Sequence, residues 1–89
     1  MAQRARQPTH PGKAFKNLAL PELNMTQAEL AEYVGINRVS MNLVLNGRAR
    51  VTPRIAAKLG ELVGSDGALY LRMQNKLDLW KLQNERSGN

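Results

Sequence analysis

The sequence predicts an all-α domain of five helices, and three observations carry that expectation. Start signals precede the apolar segments: Thr26 with Glu29 reads as a capping box, and Thr52-Pro53 opens a further helix. Glycines close the segments, at Gly35, Gly47 and Gly64. No run alternates β-branched with polar residues, and there is no hairpin signal and no internal repeat. A length of 89 residues suits one small domain with a thin core that a second copy could complete.

The elements follow in order. Residues 1–9 are polar and basic and are expected to form a disordered tail, with Arg4 and Arg6 free to touch phosphates or nothing. The tail has no apolar stretch, so it is not a secretory signal. The folded domain is expected to span residues 10–84. Helix 1 starts near Pro11, with His10 as its cap and Ala14, Phe15, Leu18 and Ala19 as its apolar stripe. Pro21 is expected to end it near Leu20, and Asn24 suits a left-handed residue. Helix 2 follows the Thr26 cap, sets Leu30 and Val34 on one face and stops at Gly35. Asn37 caps helix 3, which runs from Arg38 to Leu45 or Asn46 and ends at Gly47. Helix 4 buries Ile55, Ala56, Leu59, Leu62 and Val63 and stops at Gly64. Ser65 or Asp66 caps helix 5, assigned to residues 66–83. Residues 85–89 are expected to be a frayed polar tail.

Charge narrows the partner. The net charge is +6, which favours an anion. Its placement says more than its sum. No Asp or Glu falls between Tyr33 and Gly60, whereas Arg38, Arg48, Arg50, Arg54 and Lys58 all do. No apolar run approaches the ~18–20 residues that cross a membrane, so no membrane partner is expected. The absence of cysteine rules out disulfides and thiolate metal sites and suits a cytoplasmic setting.

The basic stretch coincides with a motif. In Gln27–Asn46, Ala31 is the small residue where two short helices cross, Gly35 is the turn, and Leu30, Val34, Ile36, Met41 and Val44 are apolar anchors. That spacing is a helix-turn-helix, whose second helix enters the major groove of duplex DNA. Met41, Val44 and Leu45 form the inner face of helix 3. The base-facing set is then Asn37, Arg38, Val39, Asn42, Leu43 and Asn46. Arg38 suits guanine and Asn42 adenine, each through two hydrogen bonds, and Val39 and Leu43 suit thymine methyls. Phosphate contacts are expected from Gln27 at the start of helix 2, from lateral Ser40, and from Arg48, Arg50 and Thr52 in the following loop.

The set His10-Pro11-Gly12, Thr26–Ala31, Gly35–Arg38, Leu45–Arg48, Val51–Pro53 and Asp78-Leu79-Trp80 resembles the HigA-type antitoxins of the Xre (lambda-repressor-like) helix-turn-helix group. The resemblance covers about residues 9–82. It implies a homodimer that represses its own operon, and a HigB-type toxin, an mRNA-cleaving ribonuclease, as the partner to be neutralised. The chain departs from the group in three places. Leu43 stands where a polar or basic residue is common, Gly67 where a proline is common, and Leu69-Tyr70 where an aromatic pair is common. Looser packing is expected around the last two.

Helix 5 shows two apolar faces at 100° per residue. Leu69, Met73, Leu77 and Trp80, with Tyr70 beside them, are expected to face the core. Leu71, Leu79 and Leu82 lie nearly opposite and are expected to form the dimer contact. An enzyme is not expected: His10 is the lone histidine, Asp66 and Asp78 lie too far apart to work together, and the glycines are helix punctuation. No cofactor or metal is expected. A stand-alone Xre-type repressor is one alternative. A toxin inhibitor that does not bind DNA is another, and the acid-free middle argues against it. RNA binding would need an exposed aromatic platform, whereas Phe15 and Trp80 read as core.

Overall fold

The computed structural model describes residues 6–87, with side chains to Glu85. Within it lie five helices and no strand. The first, α1, joins three stretches: Pro11–Ala14, a widened π turn at Phe15–Ala19, and Leu20–Leu23. Then come α2 (Gln27–Val34), α3 (Arg38–Leu45), α4 (Pro53–Leu62) and α5 (Ala68–Ser87). None is long and apolar enough to cross a membrane. Met1–Ala5, including Arg4, and residues 88–89 lie outside the described residues.

Pro21 does not end α1. Proline lacks an N–H and clashes with the carbonyl four residues back. The turn ahead of it widens instead, so that the Leu20 N–H donates to the Phe15 carbonyl, five residues back. This lets the proline enter a helix that runs to Leu23 and stops at Asn24, whose φ of 52° is left-handed as the sequence suggests.

The other caps follow local chemistry. Thr26 Oγ1 accepts from the Glu29 N–H at 3.0 Å, and the Thr26 N–H donates to Glu29 Oε1 at 2.8 Å, which closes the capping box. Gly35 takes φ 88° after α2. Asn37 Oδ1 accepts from the Ser40 N–H at 2.7 Å and starts α3. Thr52 does the same for Ile55 at α4. At α5 both expected caps act: Ser65 accepts from the Gly67 N–H and Asp66 from the Ala68 N–H. The helix then runs beyond Gln83 to Ser87, because polarity does not stop a helix and no breaker intervenes before Gly88.

The core gathers Phe15 of α1, Leu30, Ala31 and Val34 of α2, Met41, Val44 and Leu45 of α3, Val51, Ile55, Ala56 and Leu59 around α4, and Tyr70 of α5. Phe15 and Tyr70 meet edge to face with ring centres 5.9 Å apart, which pins α1 to α5. Gly12 makes the crossing of α1 over α3 possible, since a Cβ there would lie 2.0 Å from the Val44 carbonyl oxygen.

Several core expectations need correction. Val63 is exposed rather than buried, and Leu62 is half-buried. Leu69 is 53% exposed and Trp80 is half-buried, whereas Gln74 is only 2% exposed. Leu71, expected on the outer face, packs half-buried against the core, which leaves Leu79 and Leu82 exposed. The inward line of α5 is Tyr70, Gln74 and Leu77 because Gln74 serves a buried backbone group of the preceding loop. The looser packing expected at Gly67 is absent. Gly67 is buried at φ 82°, and a Cβ there would lie 2.1 Å from the Ala56 carbonyl oxygen. Gly60 faces it just as closely, so α4 and the start of α5 touch backbone to backbone.

Candidate nucleic-acid interface

The turn Gly35–Asn37 sets α3 across α2, with Met41, Val44 and Leu45 inward. The opposite side of α3 is therefore outward by geometry. Val39 is 71% exposed and Leu43 39%, with Arg38 and Asn42 exposed between them. Water gains nothing from two aliphatic side chains flanked by a guanidinium and an amide, but a groove of bases and methyl groups would. Gln27, at the first turn of α2, reaches the same place. Its Oε1 accepts from Asn42 Nδ2 at 3.2 Å, and Gln27, Arg38, Val39 and Asn42 line one open depression. The structure thus brings together a residue expected at phosphate and three expected at bases.

Two members of the base-facing set have other ties. The Asn37 side-chain oxygen Oδ1 is held by the helix cap, where it accepts from the Ser40 N–H. Asn46 donates through Nδ2 to the Asn42 carbonyl at 2.9 Å and accepts from Lys16 Nζ at 3.0 Å. Both polar ends of Asn46 are engaged, so it works as a bracket that holds a cation beside the exit of α3. Lys16 was not foreseen from the sequence. Its only signal there is the pair Lys13 and Lys16, one turn apart on α1.

The phosphate set divides. Arg48 is exposed just past the left-handed Gly47, and Ser40 stands on the flank of α3. Thr52 Oγ1 accepts from the Ile55 N–H, which leaves its hydroxyl hydrogen able to donate outward. Arg50 already has a partner within the chain. Its guanidinium pairs with Asp78 of α5 through both Nη2 and Nε. That guanidinium holds the Asp78 carboxyl below the usual carboxylate range, and Asp78 in turn raises Arg50. The sequence could not reveal this pairing, because 28 residues separate the partners.

The loop between α3 and α4 is tied down from two further sides. Gln74 Oε1 accepts from the buried Val51 N–H at 2.8 Å, while its Nε2 donates to Asp78 Oδ1 at 2.8 Å. His10 Nδ1 accepts from the Gly12 N–H at 2.9 Å, and Nε2 lies 2.9 Å from the Ala49 carbonyl. An imidazole that accepts at Nδ1 must carry its proton on Nε2, so His10 is neutral and donates to Ala49. Burial lowers its pKa, with the charges of Lys81 and Lys13 adding to the effect. Arg48 therefore leaves from a loop anchored to both α1 and α5.

Comparison with known proteins agrees with this geometry. A family model described as helix-turn-helix matches residues 16–67. The Vibrio cholerae antitoxin HigA-1 is 30% identical over 84 residues, which cover 94% of this chain and 79% of that one. The HTH-type transcriptional regulator YbaQ of Escherichia coli K12 is also 30% identical, over 94% of this chain and 74% of its own. Among solved structures, an antidote protein of a plasmid maintenance system from Nostoc punctiforme superposes with a TM-score of 0.82 at 31% identity, covering 93% of this chain and 90% of that one. The Pseudomonas aeruginosa antitoxin HigA, solved with the higBA promoter, shares the fold with a TM-score of 0.81 at 18% identity, over 91% and 88% of the two chains. The chain belongs to the Xre-like helix-turn-helix family of DNA-binding regulators that includes the HigA antitoxins.

Proposed function

We propose that this protein binds operator DNA as a homodimer, represses its own operon and neutralises a HigB-type toxin that cleaves mRNA. The observation that carries the DNA reading is the outer face of α3, where Arg38, Val39, Asn42 and Leu43 project together from a rigid turn. Arg38 and Asn42 read base edges, Val39 and Leu43 touch methyl groups, and Asn37 closes the N-terminal end. Gln27, Ser40, Arg48, Thr52 and Lys16 hold the backbone. The Pseudomonas HigA, similar in fold, is solved with its promoter, which supports the DNA reading.

The dimer reading rests on Leu79 and Leu82, 55% and 53% exposed on α5, with Leu71 at the edge of that face. Two α3 helices related by a two-fold axis read half-sites about 10 base pairs apart, or a multiple of that. The antitoxin reading rests on the likeness to the Vibrio HigA-1. On that reading the protein acts in the cytoplasm, on the nucleoid when the operator is occupied. The likeness to YbaQ favours a second reading, a repressor with no toxin. Footprinting of the DNA upstream of the gene tests the first part: a protected dyad is expected, and uniform cleavage would refute it. Co-purification with the product of the neighbouring gene, and rescue of growth when the two are expressed together, separate antitoxin from stand-alone repressor.

A further inference from the structure

The cations around the recognition helix continue behind its exit. A cleft of about 290 Å³ opens there, lined by Thr9, His10 and Lys13 at the start of the chain and by Asn46, Gly47 and Lys81. Lys13 comes from α1 and Lys81 from α5, so two helices distant in sequence deliver an ammonium group each. The Lys13 stem lies across Gly47, whose Cβ, if built, would be 2.8 Å from Lys13 Cδ. A smaller depression of about 90 Å³ adjoins it, bordered by Arg48, Arg50 and Lys81. His10, Gly47 and Lys81 line both. The ring of His10 in the same lining is neutral, and the charges of both lysines are felt there. Asp78, which feels the charge of Lys81, is already bonded to Arg50 and Gln74. Neither Lys13 nor Lys81 forms an ion pair among the described residues, and two lysines that line one concave space repel each other until an anion enters.

We propose that this cleft is a phosphate site in which Lys13 and Lys81 hold one phosphate group, and that duplex DNA supplies it from the backbone flanking the half-site. The inference rests on the DNA reading given above and extends the contact surface beyond the helix-turn-helix to α5. Position supports the backbone as the source. Asn46 lines the cleft on one side and holds Lys16 on the other, so the cleft continues the cationic edge of α3. A tetrahedral phosphate has an oxygen to offer each ammonium group, and the Thr9 hydroxyl in the same lining can donate a further hydrogen bond.

Because His10 is the lone histidine, its ring protons report on the cleft without overlap. The experiment uses the full chain, Lys13→Gln and Lys81→Gln, with three probes: the upstream duplex, a scrambled duplex, and inorganic phosphate at constant ionic strength. Both lysines are exposed, so both variants keep the parent circular dichroism. Each should flatten the plot of log K against log salt by about one unit per protomer while leaving the ratio of specific to scrambled affinity unchanged. Duplex should raise the pH at which His10 titrates, since a bound phosphate offsets the two lysines, and the rise should shrink in Lys81→Gln. If inorganic phosphate shifts His10 in the parent but not in the variants, while the salt slope is unchanged, the site stands and its source is free phosphate. If neither duplex nor phosphate moves His10, and the slope is unchanged, the proposal is overturned. A parent that binds no DNA refutes the DNA reading separately, and the inorganic phosphate arm still decides the cleft.

Discussion

Replacing Gln74 by Met should destabilise the protein far more than its polar character suggests. The side chain is 2% exposed and spans two elements. Its Oε1 satisfies the N–H of Val51, which is itself 1% exposed, and its Nε2 supports Asp78. Methionine fills nearly the same volume, so no cavity opens and the cost isolates the polar loss. A buried N–H left without a partner costs about 1–3 kcal/mol. The bond to half-exposed Asp78 contributes about a further 1 kcal/mol. The sum, about 2–4 kcal/mol, corresponds to a fall in Tm of about 10–20 °C for a domain of this size. Urea and thermal unfolding followed by circular dichroism measure it. A loss below about 0.5 kcal/mol would show that the loop does not depend on α5. Gln74→Glu sharpens the test. It keeps the acceptor for Val51 but sets a second carboxylate beside Asp78, so its deficit relative to the parent should shrink as pH falls and one carboxylate takes up a proton.

Four further outcomes are expected. Gly12→Ala forces a Cβ into the Val44 carbonyl and should cost about 1–3 kcal/mol, with operator affinity falling alongside stability in the same unfolding and binding assays. Arg38→Ala and Asn42→Ala should each relax base preference by roughly 1–3 kcal/mol, whereas Arg48→Ala should weaken all duplexes evenly and flatten the salt slope; alike behaviour of the three in binding titrations would refute the division of labour. His10 has its folded pKa lowered, so its contribution is complete above the unfolded value of about 6.5 and is lost as pH falls from there toward the folded value. Stability measured against pH should therefore decline more steeply below about 6.5 than that of His10→Gln. On the dimer proposed above, the parent should scatter as a dimer and Leu79→Glu as a monomer with the same helical circular dichroism, since burying each leucine contributes roughly 1.5–3 kcal/mol and a buried charge reverses it.

The parts of the fold legible in the sequence are those set by neighbours three or four residues apart. Thr26 with Glu29, Asn37 with Ser40, and the left-handed Asn24 and Gly35 are local bonds and local dihedrals, so residue types at fixed spacing announce them. The outer face of α3 was legible for the same reason: helical periodicity that buries Met41, Val44 and Leu45 must expose Val39, Asn42 and Leu43. Contacts between distant segments were not. Pro21 reads as a stop, and only the widened turn before it lets the helix continue. Arg50 reads as one more cation of a basic loop until α5 brings Asp78 beside it. Nothing local in the sequence marks Gln74 as buried, because nothing local shows that the Val51 N–H will be buried without a backbone partner. With Gln74 turned inward, Leu69 is exposed and Leu71 packs against the core, the reverse of what apolar spacing alone predicts. Gly67 looked like the loss of a proline, whereas its missing Cβ is what lets α4 and α5 touch.

The central claim is that the exposed face of α3 reads sequence in duplex DNA. Fluorescence anisotropy with the labelled upstream duplex and a scrambled duplex of equal length, repeated over a range of salt, tests it most directly. If a dimer neutralises ~6–8 phosphates, log K should fall with log salt at a slope of about −5 to −7 on both duplexes. The upstream duplex should stay tighter by about 10³-fold or more at moderate salt, a margin that salt does not remove because base contacts release few counterions. Equal affinity for the two duplexes at every salt concentration would contradict the claim.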